Sequence, residues 1–238
     1  MHDVVTPFPG HADDSAQRLP RAFFARDTRI VARALIGRML WRRVGREWSG
    51  GCIVETEAYR GTGDAASHSV RGQTRSNASM FGRPGTAYVY PIHTRHCFNI
   101  ATEAVDTGAA VLIRALQPVV GRVAMADRRG LPSCDPPHDR KLTSGPGMIC
   151  QALAIDRETD GSDVVTATDI AVTGQDPAPA RVRTTSRIGI SRAVRHRWRY
   201  VAAGHRHVSG RAADHVHDGE PRWVWRFTDD GSVVTDPL

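Results

Sequence analysis

Lysine is nearly absent from this chain of 238 residues: of its 32 Lys and Arg residues, only Lys141 is a lysine. Chemistry that attacks through a side-chain amine therefore has a single internal candidate. Cysteine is scarce too. Cys52, Cys97, Cys134 and Cys150 follow no regular spacing and form no CxxC pair, which excludes a disulfide scaffold and reads as reduced, mostly buried thiols. No apolar run approaches the ~20 residues that a bilayer crossing needs. The first twenty residues carry Asp3, Asp13 and Asp14 and no apolar block, so neither a secretory signal nor an anchoring helix is expected, and the expected location is cytoplasmic. P-loop, GxGxxG, GxSxG and HExxH patterns are missing, which leaves nucleotide hydrolysis, dehydrogenase and serine-hydrolase chemistry without support.

What is present describes a globular chain. Hydrophobic residues make up 40% and charged residues 24%, and the length suits one compact domain. The formal net charge of +7 favours a polyanionic partner such as nucleic acid without naming it.

Residues 1–24 read as a poorly ordered lead-in. The first element is expected to be a helix from Asp27 or Thr28 through Ile30, Val31, Ala34, Leu35, Met39 and Leu40. Cys52 to Tyr59 alternates as a strand, which points Glu55, Glu57 and Tyr59 to one face. A long Gly/Ser-rich loop with His68 follows, and loops of that length are usually functional. Thr86–Tyr90, Cys97–Ala101 and Val111–Leu116 predict an antiparallel meander with its first tip at Pro91–His96. Pro118 suits the first turn of a helix ending at Gly130, and Gly145-Pro146-Gly147 opens a short helix whose free N–H groups can accept a phosphate. Trp223, Trp225 and Phe227, then Asp230-Gly231, predict a terminal hairpin within residues 211–238, packed on the same domain.

Several residues could do chemistry. Glu55 and Glu57 are either ordinary exposed strand residues or a pair of acids at hydrolase spacing. Tyr88, Tyr90, His93 and His96 are either core aromatics with solvated histidines or a platform for stacking bases. His93-x-x-His96-Cys97 lacks a second ligand cluster, so no metal is expected. Arg181, Arg183 and Arg187, evenly spaced on a strand, are either a solvated face or a phosphate track. His205, His207, His215 and His217 read as surface residues.

The segments Ile53–Tyr59, Asp64–Ser69, Asn77–Tyr90, Cys97–Ile100, Val111–Pro118, Leu142–Pro146 with Gln151–Ile155, and Arg187–Ser191 together resemble the alkyladenine (3-methyladenine) DNA glycosylases. The resemblance runs in order over roughly residues 28 to 209. It implies an α+β fold, a single mixed domain with a curved antiparallel β-sheet, flanking helices and a protruding β-hairpin, spanning residues 25–210. It implies hydrolysis of the N-glycosidic bond of damaged purines after the nucleotide rotates out of the duplex. On this likeness Glu57 is the acid that activates water, and Arg114 lies beside that water and the DNA backbone. Tyr59, His68 and Tyr90 sandwich the extruded base, and Asn99 screens against guanine. Glu55 receives no catalytic role. His93 stands where the family usually carries a tyrosine wedge, in a tip one residue shorter than usual. Double-stranded DNA containing damaged purines is the implied partner, with no cofactor, no membrane and a monomeric chain. With Lys141 far from the Glu57 motif, a monofunctional enzyme that leaves an abasic site is expected. The rival readings are a catalytically silent nucleic-acid-binding module on the same sheet and a glycoside hydrolase using Glu55 with Glu57.

Overall fold

The computed structural model describes residues 18–174, 181–210, 223–227 and 233–237. Two short helices, α1 (Arg21–Phe24) and α2 (Thr28–Ala34), lead into β1 (Met39–Val44) and the long β2 (Glu47–Tyr59). The meander follows as β3 (Ala87–Ile92), β4 (Arg95–Thr102) and β5 (Ala109–Val120). Helices α3 (Arg122–Arg129), α4 (Asp139–Thr143) and α5 (Pro146–Ala152) come next, then β6 (Ile170–Thr173), β7 (Val182–Thr185) and β8 (Arg199–Ala202). A separate two-stranded hairpin of β9 (Trp223–Phe227) and β10 (Val233–Pro237) completes the described chain. The main sheet runs β3-β4-β5-β2-β1-β6, and every strand pair in it is antiparallel. Strand β2 is long enough to serve two neighbours on one edge: its first half pairs with β1, and Glu55–Glu57 pair with β8, which carries β7. This is the α+β, single-domain architecture with a curved antiparallel sheet that the sequence implied.

Several local expectations need correction. The helix expected to reach Leu40 stops at Ala34, and Met39 and Leu40 open β1 instead. Gly37, at φ 88°, turns the chain between them, and pairing with β2 overrides the helical spacing. The lead-in ends earlier than residue 24: Leu19 donates its N–H to Val172, and Phe24 is fully buried. Residues 1–17 lie outside the described chain. Pro118 sits in β5 rather than a helix, because Gly121 in the left-handed region breaks the chain later and α3 starts at Arg122; the expected stop at Gly130 is observed. The terminal hairpin forms where expected, and Trp225 is packed into the main core.

Two irregularities in the β2–β5 ladder matter for the site. Ile53 opposes Leu116 and Glu55 opposes Ala115, so Val54 is an extra residue on β2. Thr56 then opposes Ile113, so Arg114 is the extra residue on β5. The two bulges compensate and keep the strands in step, while Arg114 is turned toward the acids of β2. Near the start of this pairing a Cβ on Gly51 would lie 2.4 Å from the Gln117 carbonyl oxygen, so the close approach there requires glycine.

Candidate active site

Residues directly opposite each other in an antiparallel sheet share a face. The registers link Tyr88 to Asn99, Asn99 to Leu112, Leu112 to Glu57 and Glu57 to Arg199, forming one transverse row across β3, β4, β5, β2 and β8. Tyr90 and Cys97 form the next pair along β3 and β4 on that face. Above it lies a cleft of about 660 Å³ lined by Tyr59, His68, Met80, Tyr88, Tyr90, Cys97, Asn99, Leu112 and Arg114. The segment Ile188–Arg192, beyond β7, forms the opposite rim. The sheet supplies the floor, and the loops after β2 and β7 supply the walls.

Glu57 is fully buried one side chain beneath the cleft, and the groups that hold it line the cleft. Its Oε1 accepts the Ile188 N–H at 2.8 Å and lies 3.4 Å from Arg114 Nε, and its Oε2 accepts the Tyr59 hydroxyl at 2.8 Å. Burial pushes this carboxyl above its usual pKa, outweighing Arg114, the Ile188 N–H and Tyr59, and the neighbouring Glu55 charge adds to the rise. Glu55 is equally buried but far more heavily bonded. Its Oε1 accepts from Arg199 Nε at 2.6 Å, Ser209 Oγ at 3.0 Å and Arg114 Nε at 3.1 Å, and its Oε2 accepts the Ser209 N–H at 2.7 Å. Burial acts to raise the Glu55 carboxyl, but the two arginines and the Ser209 N–H more than offset it and hold it below the usual range. Neither acid is an exposed strand residue. The paired-acid reading also fails, because Glu55 is enclosed by protein donors on both oxygens and has no approach for a substrate or nucleophile.

The aromatic walls are tied to one another. His68 Nδ1 lies 2.8 Å from the Tyr88 hydroxyl, and the His68 ring meets Tyr90 edge-on at 4.5 Å. Partial burial lowers the His68 pKa, which favours a neutral imidazole at pH 7. Asn99 donates its Nδ2 to the Tyr88 carbonyl at 3.0 Å, which fixes the orientation of the amide. Tyr59 is backed by the Arg187 guanidinium, centred 4.6 Å from its ring.

That last contact overturns an expectation. Arg187 lies beyond the end of β7 and is buried, with its Nη1 and Nη2 donating to the Asp64 carboxylate at 2.6 and 2.7 Å. It braces the Tyr59 wall and ties the loop after β2 to the rim segment, so it is unavailable to a phosphate. Arg181 is exposed just before β7, and Arg183 is half-buried within it. His93 occupies the exposed β3–β4 tip at φ 51° and does not line the cleft, whereas its neighbour Ile92, 43% exposed, does. The supposed surface histidines His205 and His207 are buried: His205 Nδ1 accepts the His207 N–H, so its Nε2 donates to Gln117, at 2.8 Å, under the terminal hairpin. Gln117 also accepts the Trp225 N–H and donates to the Trp225 carbonyl. His215 and His217 lie outside the described residues. Of the cysteines, Cys52, Cys97 and Cys150 are buried, Cys134 is half-buried, and all four are free.

The structure thus gathers Glu57, Arg114, Tyr59, His68, Tyr90 and Asn99 around one cleft and leaves His93, Arg181 and Arg183 outside it. Sequence reasoning missed the roles of Ile188, Arg199 and Ser209. The Ile188 contact is made through backbone, and the other two reach Glu55 over more than 140 residues, so no spacing pattern signals them. The Asp64–Arg187 pair carried a faint signal, since both residues fall within segments that resembled the glycosylases. Among the described residues, no helix is long and apolar enough to cross a membrane.

Comparison with known proteins agrees with this arrangement. A chain from Rhodopirellula baltica named "Putative 3-methyladenine DNA glycosylase" is 51% identical over 202 residues, covering 84% of this chain and 87% of its own. Relatives of the same name from Koribacter versatilis and Methanoculleus marisnigri are 44% and 42% identical over 196 and 200 residues, each covering 81% of this chain and 93% and 99% of their own. The family model described as methylpurine-DNA glycosylase matches residues 22–206, which include every wall of the cleft, and the chain belongs to that family.

Proposed function

We propose that this chain is a monofunctional DNA glycosylase that draws a damaged purine of the 3-methyladenine type into the cleft, hydrolyses its N-glycosidic bond with a water aligned by Glu57, and leaves an abasic site for base-excision repair. Hypoxanthine and ethenoadenine belong to the same proposed range. The observation that carries the reading is a buried carboxylate directly beneath an aromatic-walled cleft, with Arg114 at its side.

A purine taken out of the duplex loses its stacking, and Tyr59, His68 and Tyr90 offer replacement surfaces. An alkylated purine carries positive charge, which aromatic faces favour over a neutral ring. Asn99 would screen against guanine from the cleft floor. As the bond to the departing base breaks, the sugar gains oxocarbenium character, and ionised Glu57 both orients the water and stabilises that charge. Glu57 Oε2 has the Tyr59 hydroxyl as its hydrogen-bond partner and keeps acceptor capacity for a water. Because Glu57 lies one layer down, entry of the nucleotide must shift Tyr59 or the Ile188 rim to admit that water. The raised Glu57 pKa means that the ionised, active form is lost on acidification at a higher pH than for an ordinary glutamate.

Arg192 brings positive charge to the rim, and Arg181 and Arg183 are the proposed outlying contacts to the DNA backbone. Lys141 lies on α4 and is absent from the cleft lining, which supports water rather than an amine as the nucleophile. A monomer located in the cytoplasm, working without cofactor or metal, completes the reading.

The test is Glu57→Gln on duplexes that each carry a single lesion. The variant should bind damaged DNA and release free base about 10²-fold or more slowly than the parent. Base release at the parental rate would end the proposal. Binding by the parent with no abasic product from any lesion would favour the silent binding module instead.

A further inference from the structure

Arg114 stands between two carboxylates and leans toward the one that does not serve the cleft. Its Nε is 3.1 Å from Glu55 Oε1 and 3.4 Å from Glu57 Oε1. Its side chain is only 10% exposed, so its charge must be balanced by protein rather than by water. Glu55 is in turn anchored from the far side by Arg199 on β8 and by both the N–H and the hydroxyl of Ser209. Arg199 is itself fixed, donating to the Ser209 carbonyl and the Thr185 hydroxyl at 3.0 Å each. Without Glu55, Glu57 would be the carboxylate left to balance Arg114. A guanidinium next to a single buried carboxylate frequently forms a two-bond clasp. That clasp would take the acceptor positions a reacting water needs.

We propose that Glu55 is a positioning residue: anchored by Arg199 and Ser209, it draws the Arg114 guanidinium away from Glu57 and keeps a Glu57 lone pair open. This rests on the glycosylase reading of the cleft, in which that lone pair holds the water. The charged and titratable groups around Glu57 are Arg114 from β5, Tyr59 and Glu55 from β2, and Cys97 from β4, with the Ile188 N–H from the rim. Arg199 from β8 faces Glu55. Removing the Glu55 charge both deletes a repulsion on ionised Glu57 and delivers Arg114 to it, and the two effects act in the same direction.

The experiment measures the titration midpoint of the Glu57 carboxyl by ¹³C NMR, together with the pH dependence of single-turnover base release from a duplex carrying one hypoxanthine. Glu55→Gln should keep binding that duplex and slow release by about tenfold or more. Its Glu57 midpoint and the acid limb of the rate should both move down by on the order of one pH unit. Ser209→Ala removes one donor from Glu55, lets it pull Arg114 closer, and should move both midpoints up by a few tenths of a unit. A role in packing alone would slow the enzyme without opposite shifts. An unmoved or raised Glu57 midpoint in Glu55→Gln overturns the proposal. If Glu55→Gln does not fold, Ser209→Ala decides: an upward shift supports the proposal, and an unmoved or lowered midpoint overturns it. Should the parent release no base from this duplex or from any other lesion of the proposed range, the glycosylase reading fails, and the NMR midpoints still decide whether Glu55 holds Arg114 away.

Discussion

The two ends of the Glu55–Glu57 segment differ more than their sequence suggests. Both carboxylates are fully buried, sit on one face of β2 and share Arg114. Glu55 is surrounded by donors from three other parts of the chain, which hold it ionised. Glu57 has fewer donors, and burial dominates its titration. In the proposed function the same side chain is a structural counterion at one position and an acid–base group two residues later. What separates them is donor supply and the cleft above Glu57.

The largest expected effect falls on chemistry at the Glu57 end. Glu57→Gln should cost about 10²- to 10⁴-fold in single-turnover base release while lesion binding persists. A comparable loss in a variant of Arg183, which lies away from the cleft, would dissolve the contrast between the two ends. Asp64→Asn should be the most damaging to stability, at about 3–5 kcal/mol in denaturant unfolding, because it leaves the Arg187 guanidinium buried and unpaired. It should also loosen the Tyr59 wall and weaken lesion binding.

The pH dependence of stability sharpens the comparison, because the two acids have opposite signs. Glu55 is held below its ordinary value near 4.5, so the stability it confers is complete above that pH and is lost as pH falls through the folded value. Glu57 is raised above its ordinary value, so its ionised form costs stability at neutral pH, and the cost shrinks once pH falls below the folded value and is gone below the ordinary one. Urea unfolding at pH 7 should find Glu55→Gln less stable than the parent and Glu57→Gln as stable or more so. Both differences should shrink in acid. Like-signed differences at pH 7 would refute the contrast.

Smaller effects test the cleft surface. Tyr59→Phe removes one hydrogen bond to Glu57 and should cost about 0.5–1.5 kcal/mol in transition-state stabilisation, read from base-release rates. At the hairpin tip, Ile92→Ala should weaken lesion binding more than His93→Ala does, because Ile92 lines the cleft and His93 does not. The reverse order would restore His93 as the residue that enters the duplex.

Much of this was legible locally. Strand alternation placed Glu55, Glu57 and Tyr59 on one face, and β-branched runs with turn signals gave the meander and the terminal hairpin. Errors arose where pairing partners overrode local preference. Met39 and Leu40 fit a helical period but gain more from the β1 ladder with β2 and β6. Arg187 fit an even-spaced track until Asp64 drew it inside. His205 and His207 looked polar enough for the surface, yet Gln117 and the terminal hairpin cover His205, and buried His207 lies against Asp139.

The sequence by itself determined the residue types available for chemistry, the face of β2 they occupy and the family to which the chain belongs, since these depend on neighbours in the chain and on residue order. Only the tertiary structure decided that Arg114 would bulge out of β5 toward two acids, that Arg199 and Ser209 would close one of them off, and that Ile188 would reach the other through its backbone. Hydrogen bonds and charge screening act over a few ångströms, and those distances are set by register and packing among strands far apart in the chain.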